Sequence, residues 1–347
     1  MDRSVHSVSH PTSFPRHGWV GLALIAVAWP LNWGVGIEGL RTHLLFFPLW
    51  LGYALLVDAM VKRRRGTSIL TRSRLDFAGL FLASAPAWWL FEAVNAWTQN
   101  WTYVGAEQFG DLTYGLLATI AFSTVMPAVF GTAEWVRSFN WTERLTDGPT
   151  LRPTQGLLGA FVGIGFVMLG LILVWPTYFY PFTWGWAFFL TVPLNHALGR
   201  HTLLDDTATG NWRPVVVLAL GALVCGFFWE MWNVHAYPKW VYDAPGVNFW
   251  HVFEMPLLGF IGYLPFALEL HALVHLLFPR RPHLQLGSDP NGAGGHSRGE
   301  NASRTLHPAN LVRAFNSASA KATRLFEFDT PPGIFRTEGA SVPRLVR

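Results

Sequence analysis

Two acidic motifs with identical spacing are the residues of this chain best suited to chemistry. Glu92 is followed three residues later by Asn95, and Glu230 is followed three residues later by Asn233. Residues three apart share one face of a helix, so each amide can donate a hydrogen bond to its carboxylate. A carboxyl group held in this way can give or take a proton. The spacing therefore predicts Glu92 and Glu230 as acid–base residues, oriented by Asn95 and Asn233.

A Trp-x-Tyr motif follows each acidic motif and predicts a pocket near the outer leaflet. The rings of Trp and Tyr collect at membrane boundaries, and they can line or cap the opening of a pocket there. The expected pocket residues are Trp101, Tyr103, Trp240 and Tyr242, with His235 and Glu254 in the adjacent outer loop. An alternative interpretation is that both Glu side chains reach water at the membrane surface and that the rings form only an interfacial belt.

Four histidines near two helix ends form a second candidate site. Imidazoles four residues apart lie on one helical face and can bind one metal ion, as in the histidine motifs of membrane oxygenases such as fatty-acid desaturases. The candidate ligands are His196, His201, His271 and His275, with Asp205 and Asp206 as further oxygen donors. A metal-dependent membrane oxidoreductase is therefore one open function. The alternative is that these histidines are ordinary interfacial residues, since the desaturase motif with adjacent histidines is absent.

The composition places these motifs in a membrane protein. Of 347 residues, 51% are hydrophobic and 13% are charged, whereas soluble domains have about 25% charged residues. This excludes an ordinary soluble enzyme. The pI near 9.4 does not indicate nucleic-acid binding, because the basic residues lie where cytoplasmic loops are expected. A nucleotide-driven pump is excluded by the lack of a phosphate-binding loop motif, and the single cysteine excludes an internal disulfide.

Apolar stretches long enough to cross the roughly 30 Å of membrane hydrocarbon predict eight helices. They cover residues 18–37, 42–61, 76–98, 113–133, 156–175, 179–198, 214–233 and 256–278. Of the 25 Lys and Arg residues, only Arg41 and Lys239 fall on the side opposite to the others. Because cytoplasmic loops collect positive charge, we expect an inner-membrane protein with both termini in the cytoplasm.

The repeated motifs predict an all-α polytopic bundle built from two parallel four-helix repeats. Four is an even number, so the two copies share one orientation, and their pseudo-twofold axis runs along the membrane normal. The expected divisions are a cytoplasmic segment 1–17, a first repeat 18–135, a linker 136–155, a second repeat 156–279 and a largely disordered cytoplasmic tail 280–347. Apolar residues at helical spacing within 308–328 predict an amphipathic helix that binds headgroups or a partner.

The second half also carries a run of residues that resembles known membrane proteins. Phe228-Trp229-Glu230, Trp240-Val241-Tyr242 and Phe253-Glu254-Met255-Pro256-Leu257-Leu258-Gly259 are similar to bacterial membrane families of unassigned activity. They are also distantly similar to carotenoid hydratases and to lycopene cyclases of the heterodimeric or fungal type. That resemblance implies that a protonated carboxylic acid adds a proton to an isoprenoid double bond while aromatic faces stabilise the carbocation. Glu92 and Glu230 would be the acids.

Three function classes remain open from the sequence. The leading hypothesis is an intramembrane enzyme that uses acid–base chemistry on an apolar lipid or isoprenoid. In a proton-coupled or cation-binding transporter, the same carboxylates would carry protons or bind cations between the two halves. A non-catalytic scaffold would leave the acids incidental. The expected partners are the lipid bilayer and an apolar small molecule.

Overall fold

The protein is mostly helical in the computed structural model, which describes residues 13–34 and 41–279 together with Leu284 and Leu286. The α-helices are α1 (Arg16–Gly34), α2 (Arg41–Arg65), α3 (Ile69–Arg72), α4 (Arg74–Thr98), α5 (Asp111–Phe122), α6 (Val125–Arg137), α7 (Gln155–Val174), α8 (Pro176–Phe179), α9 (Trp186–Ala197), α10 (Leu203–Thr207), α11 (Arg213–Asn233) and α12 (Tyr263–Leu277). The 3-10 helices are Ala106–Gln108, Asn140–Thr146, Tyr180–Thr183 and Leu257–Gly262. The predicted helix 308–328 lies outside the described residues.

Six helical segments are long and apolar enough to cross a membrane. They are Leu44–Arg65, Arg74–Thr98, Asp111–Arg137, Gln155–Val174, Arg213–Asn233 and Leu257–Leu277. Each corresponds to one of the predicted spans, so the chain is an integral membrane protein with several spans.

The two other predicted spans, 18–37 and 179–198, are not among these six segments. In the first, α1 covers 19 residues and ends at Gly34, the last residue described before the gap at 35–40. In the second, α9 has only 12 residues, which corresponds to a length of about 18 Å. The chain before it forms the short α8 and a 3-10 helix, where Pro176 and Pro181 cannot donate backbone hydrogen bonds.

The helices pack in a corresponding order in the two halves of the chain. In the first half, α1 packs along α2, and both α2 and α4 pack against α6. In the second half, α7 packs along α9, and both α9 and α11 pack against α12. The halves meet where α6 packs against α11 and where α4 packs against α12. At the first of these crossings Gly221 faces the backbone of Ala133, and a Cβ atom added there would lie 2.7 Å from the Ala133 nitrogen.

One end of the bundle is held by short helices with polar caps and by arginines, and we call it the arginine end. It contains α3, α10, the 3-10 helix Asn140–Thr146 and the arginines Arg64, Arg65, Arg72, Arg137 and Arg213. Ser68 caps α3 and Thr202 caps α10, each within a capping box. Arg213 donates to the carbonyl of Arg137 at 3.2 Å and so ties α11 to α6.

Two short antiparallel ribbons lie at the opposite end, which we call the aromatic end. Strand β1 (Trp101–Val104) pairs with β2 (Lys239–Tyr242), and β3 (His251–Val252) pairs with β4 (Met255–Pro256). Trp101 lies opposite Tyr242, and Tyr103 lies opposite Trp240. The β1–β2 ribbon therefore joins the segment that follows α4 to the segment that follows α11. The sequence analysis predicted no strand at either position.

Candidate functional site

The two Asn side chains bind the backbone of the strands. The Asn95 amide nitrogen donates to the carbonyl of Trp101 at 2.8 Å, and its oxygen accepts from the Trp101 nitrogen at 3.1 Å. Asn233 makes the same pair of bonds with Trp240, at 2.7 and 2.9 Å. Both Asn residues are buried. Each one therefore fixes a strand to the end of the helix that carries the preceding acid.

The Glu92 carboxylate accepts three hydrogen bonds from aromatic side chains. Its Oε1 accepts from Trp88 Nε1 at 2.8 Å, from Trp101 Nε1 at 3.2 Å and from the Tyr103 hydroxyl at 2.5 Å. Trp88 is one helical turn before Glu92 and lies on the same face of α4. Glu92 itself is half-buried. The Trp-x-Tyr motif predicts Trp101 and Tyr103 but not Trp88, although the spacing of four residues between Trp88 and Glu92 is a usable signal.

The Glu230 carboxylate is more deeply buried than that of Glu92, with no exposed surface. Its Oε1 accepts from the hydroxyls of Tyr242, at 2.7 Å, and Tyr263, at 2.8 Å. Its Oε2 has no hydrogen-bond partner in the described part of the chain. Tyr263 was not predicted, because it lies 33 residues after Glu230 with no local pattern linking the two. The alternative interpretation, in which the Glu230 side chain reaches water at the membrane surface, does not hold in this fold.

One apolar cavity lies between these two acid clusters. Its volume is about 120 Å³. The hydroxyl-bearing rings that hold the acids are part of its wall: Tyr103 on the Glu92 side, and Tyr242 and Tyr263 on the Glu230 side. The remaining aromatic lining is Phe46, Trp88, Trp101, Tyr114, Phe122, Trp184, Trp229, Trp240 and Phe266. Both acids are thus connected to a single aromatic chamber through groups that donate to their carboxylates.

The ribbon tyrosines are hydrogen-bond donors rather than phenolates at neutral pH. Burial raises the pKa of Tyr103 well above its ordinary value, and the adjacent Glu92 raises this pKa further. Burial and the adjacent Glu230 act in the same direction on the pKa of Tyr242. A neutral phenol can donate to a carboxylate, whereas a phenolate would repel it.

Two of the predicted pocket residues lie elsewhere at the aromatic end. His235 is exposed and its ring packs against Trp33, with 5.1 Å between the ring centroids. Glu254 forms an ion pair with Lys239, with 2.6 Å between nitrogen and oxygen. Neither belongs to the described lining of the cavity. The predicted pocket set is therefore brought together only in part, through Trp101, Tyr103, Trp240 and Tyr242.

Other acids in the spans hold helix ends instead of facing the cavity. The Asp58 carboxylate accepts from Ser68 Oγ at 2.7 Å and from the Leu70 nitrogen at 3.0 Å, and so binds the start of α3. Glu269 is fully buried and accepts from the Ala187 nitrogen at 2.9 Å, in the first turn of α9. A carboxylate at a helix N-terminus satisfies backbone donors and is favoured by the helix dipole. These contacts explain why such acids occur in apolar segments.

Three of the four predicted metal-ligand histidines lie together at the arginine end. Nitrogen atoms of His201, His271 and His275 all lie within 4.8 Å of one another. His196 is half-buried on α9 and is not a member of this cluster. Of the two predicted oxygen donors, Asp206 pairs with His201 at 3.1 Å, and Asp205 accepts from the Thr202 nitrogen at 2.7 Å.

Comparison with protein families, curated proteins and solved structures gave no match for this chain. The functional argument therefore rests on the geometry of the site.

Proposed function

We propose that this protein is an intramembrane enzyme that transfers protons to and from an apolar lipid or isoprenoid held in the aromatic cavity. The observation that carries the proposal is the single chamber whose tyrosine hydroxyls donate to Glu230 on one side and to Glu92 on the other. A site that only anchored the protein at the membrane surface would not need either acid to be buried.

The cavity wall fits an apolar ligand. Indole, phenol and phenyl rings supply most of the lining, and the ribbon places four of them around the same space. Such rings bind hydrocarbon by burying its surface, and their negative faces also stabilise a nearby positive charge. A volume of about 120 Å³ accommodates only one portion of a long chain. The remainder of the proposed substrate would extend into the membrane.

The two acids differ in ways that suit different steps. Both tyrosines donate to Oε1 of Glu230, so a proton carried by this carboxyl group belongs on Oε2, where no other donor competes. Glu92 is half-buried, which allows exchange of its proton with water. We assign Glu230 as the proton donor and Glu92 as the group that accepts or exchanges a proton.

The proposed reaction balances without a cofactor. The O–H bond of the acid breaks as the π electrons of a substrate double bond form a new C–H bond, which leaves a carbocation on the neighbouring carbon. Loss of a proton from an adjacent carbon to the Glu92 carboxylate then forms a new double bond, and the cycle closes when Glu92 releases that proton to water and Glu230 takes one up. The net result is an isomerisation, or a cyclisation if a second double bond attacks the cation first. Aromatic faces stabilise the intermediate charge.

We also propose that the two halves are parallel four-helix repeats, with α1 and the α8–α9 region occupying the two further membrane positions. The corresponding packing order and the matching Asn–strand bonds support this interpretation. A pseudo-twofold axis through the β1–β2 ribbon would place Glu92 and Glu230 at equal depth.

Deuterium incorporation tests the proposed chemistry directly. The purified full chain would be incubated in D₂O with a lipid and isoprenoid extract of the producing cells, and the recovered lipids analysed by mass spectrometry. We expect C–D bonds in one lipid class, with at least a 100-fold loss of incorporation in Glu230→Gln and a comparable loss in Glu92→Gln. Glu107→Gln, which replaces an exposed acid of the aromatic end that lies outside the cavity lining, is the matched control and should retain the wild-type rate.

Two outcomes would overturn the enzyme proposal. The first is an absence of deuterium from every lipid class in the wild type. The second is wild-type incorporation in the Glu92→Gln, Glu230→Gln double variant. Proton-dependent solute movement in proteoliposomes without any lipid conversion would instead favour the transporter.

A further inference from the structure

The histidine cluster at the arginine end has an arrangement that ordinary core packing does not explain. His271 and His275 lie one turn apart on α12 and are 1% and 2% exposed. His201 reaches them from the segment between α9 and α10, with ring centroids 5.7 Å from His271 and 5.1 Å from His275. Three imidazoles from two separate segments of the chain therefore share one buried space.

Each of the three rings has a nitrogen without a hydrogen-bond partner among the described residues. These atoms are His201 Nδ1, His271 Nε2 and His275 Nε2. A buried polar atom without a partner costs on the order of 1 to 3 kcal/mol. Three such atoms in one cluster indicate a ligand that binds to all of them.

The opposite ring nitrogen of His275 has a hydrogen-bond partner that fixes the position of its lone pair, and a carboxylate lies close to His201. His275 Nδ1 lies 2.9 Å from the carbonyl oxygen of His271, so Nδ1 is the protonated atom and Nε2 carries the lone pair. His201 Nε2 lies 3.1 Å from Asp206 Oδ2, a close contact that does not meet hydrogen-bond geometry. A carboxylate behind a histidine in this way is the usual outer partner of a metal ligand.

We propose that His201, His271 and His275 bind one divalent transition-metal ion, for which Zn²⁺ fits best. Neutral imidazoles bind Zn²⁺ at about 2.0 to 2.1 Å, which places the ligand nitrogens of a tetrahedral site about 3.3 Å apart. One nitrogen from each of the three rings already lies within 4.8 Å of the others, which is close to this spacing. Ca²⁺ and Mg²⁺ are poor candidates because they prefer oxygen ligands.

Three protein ligands leave the fourth position of a tetrahedral ion for water or another small ligand. The His201 side chain is 17% exposed and provides the route by which an ion enters. Bound metal would connect the chain after α9 to α12. The site is at the arginine end, so its role is separate from the proton transfer proposed at the aromatic end.

Metal titration of the full chain tests this proposal. Protein stripped with a chelator would be titrated with Zn²⁺ alone, and its metal content measured by mass spectrometry after removal of free ion. We expect about one equivalent in the wild type. His271→Ala and His201→Ala should lose at least 90% of the bound metal. His196→Ala, which removes a nearby histidine outside the cluster, should bind as the wild type does.

A second variant keeps the test valid if a ligand substitution prevents folding. Asp206→Asn retains all three imidazoles and should weaken Zn²⁺ binding by about 10-fold to 100-fold, because the partner of His201 changes. Less than a tenth of an equivalent in the wild type would overturn the proposal. Unchanged binding in folded His271→Ala would also overturn it, as would wild-type affinity in Asp206→Asn.

Discussion

Asn95 and Asn233 bind their respective strands with the same two hydrogen bonds, 138 positions apart in the chain. In each case the amide nitrogen donates to a Trp carbonyl and the amide oxygen accepts from the nitrogen of that Trp. The following Tyr of each strand then donates to the acid that precedes the Asn. Acid, amide and strand therefore form one structural unit, which occurs twice.

Replacing either Asn tests how strongly this unit depends on its amide. Asn95→Ala and Asn233→Ala leave a buried strand carbonyl and N–H without partners, and we expect each to lower the free energy of unfolding by about 1 to 3 kcal/mol. Thermal unfolding in detergent measures the effect. Asn248→Ala, which removes an exposed amide from the same end of the protein, should leave the midpoint unchanged. Equal stability of Asn95→Ala and Asn248→Ala would contradict the structural role.

Sequence reasoning identified both acids, both amides and four cavity rings because the duplicated spacing makes them recognisable. It assigned the amides to the carboxylates; Asn95 does interact with Glu92, but the hydrogen bonds that both amides share are to strand backbone. The contact of each Asn with backbone depends on two strands of four residues. Their pairing places Trp101 opposite Tyr242, which lies in the other half of the chain. Hydropathy has no information on such distant pairing. For the same reason Tyr263 was missed, although its hydroxyl is 2.8 Å from Glu230.

The fold was predictable to the extent that hydropathy defines it. Six apolar stretches became segments able to span a membrane, but 179–198 did not form one long helix. The chain there contains prolines that interrupt helical hydrogen bonding, and a count of apolar residues gives them little weight. Similarly, His196 shares the helix predicted for that stretch, whereas His201 lies beyond the end of α9 and can turn towards His271.

The crossing of α6 and α11 should be sensitive to the size of residue 221. In Gly221→Ala the new methyl group meets the backbone of Ala133, and we expect a loss of about 1 to 3 kcal/mol in unfolding free energy. Gly159→Ala on α7 is the matched control, since nothing lies within 4 Å of its added Cβ atom. That variant should be neutral or slightly stabilised, because Ala is the better helix former. If the unfolding midpoint of Gly221→Ala is at or above that of Gly159→Ala, then α6 and α11 are not in close contact.

Alkaline titration should separate the ribbon tyrosines from water-accessible ones. Because the pKa values of Tyr103 and Tyr242 are raised above about 10, neither phenol ionises in the usual range. Tyr103→Phe and Tyr242→Phe should therefore leave the absorbance change at 295 nm near pH 10 unaltered. The denatured chain is the comparison, because unfolding exposes both phenols and each substitution then removes part of the signal. A reduced signal in Tyr103→Phe would contradict the assigned burial.

The raised pKa values of Tyr103 and Tyr242 also predict how the free energy of unfolding changes with pH. The folded-state pKa of each ribbon tyrosine is higher than that of the unfolded chain, so the stabilisation is fully present below pH of about 10 and is lost as the pH rises further. Unfolding midpoints should fall with pH in that range. The fall should be smaller in the Tyr103→Phe, Tyr242→Phe double variant.

Cysteine labelling should determine which end of the bundle faces the cytoplasm. The native Cys225 is fully buried beside Thr132, so a maleimide reagent should not reach it in the folded protein. In intact cells a membrane-impermeant maleimide should label Glu107→Cys at the aromatic end, and it should label Asp147→Cys at the arginine end only after lysis. Both positions are exposed. The reverse pattern would show that the predicted orientation is inverted.

The pairing of β1 with β2 has a twofold-symmetric register. In this antiparallel pair the Trp of each strand lies opposite the Tyr of the other strand. Exchanging the two strands therefore leaves the register unchanged. A polypeptide of half the length, carrying one such strand, would already possess a self-complementary contact for a twofold homodimer.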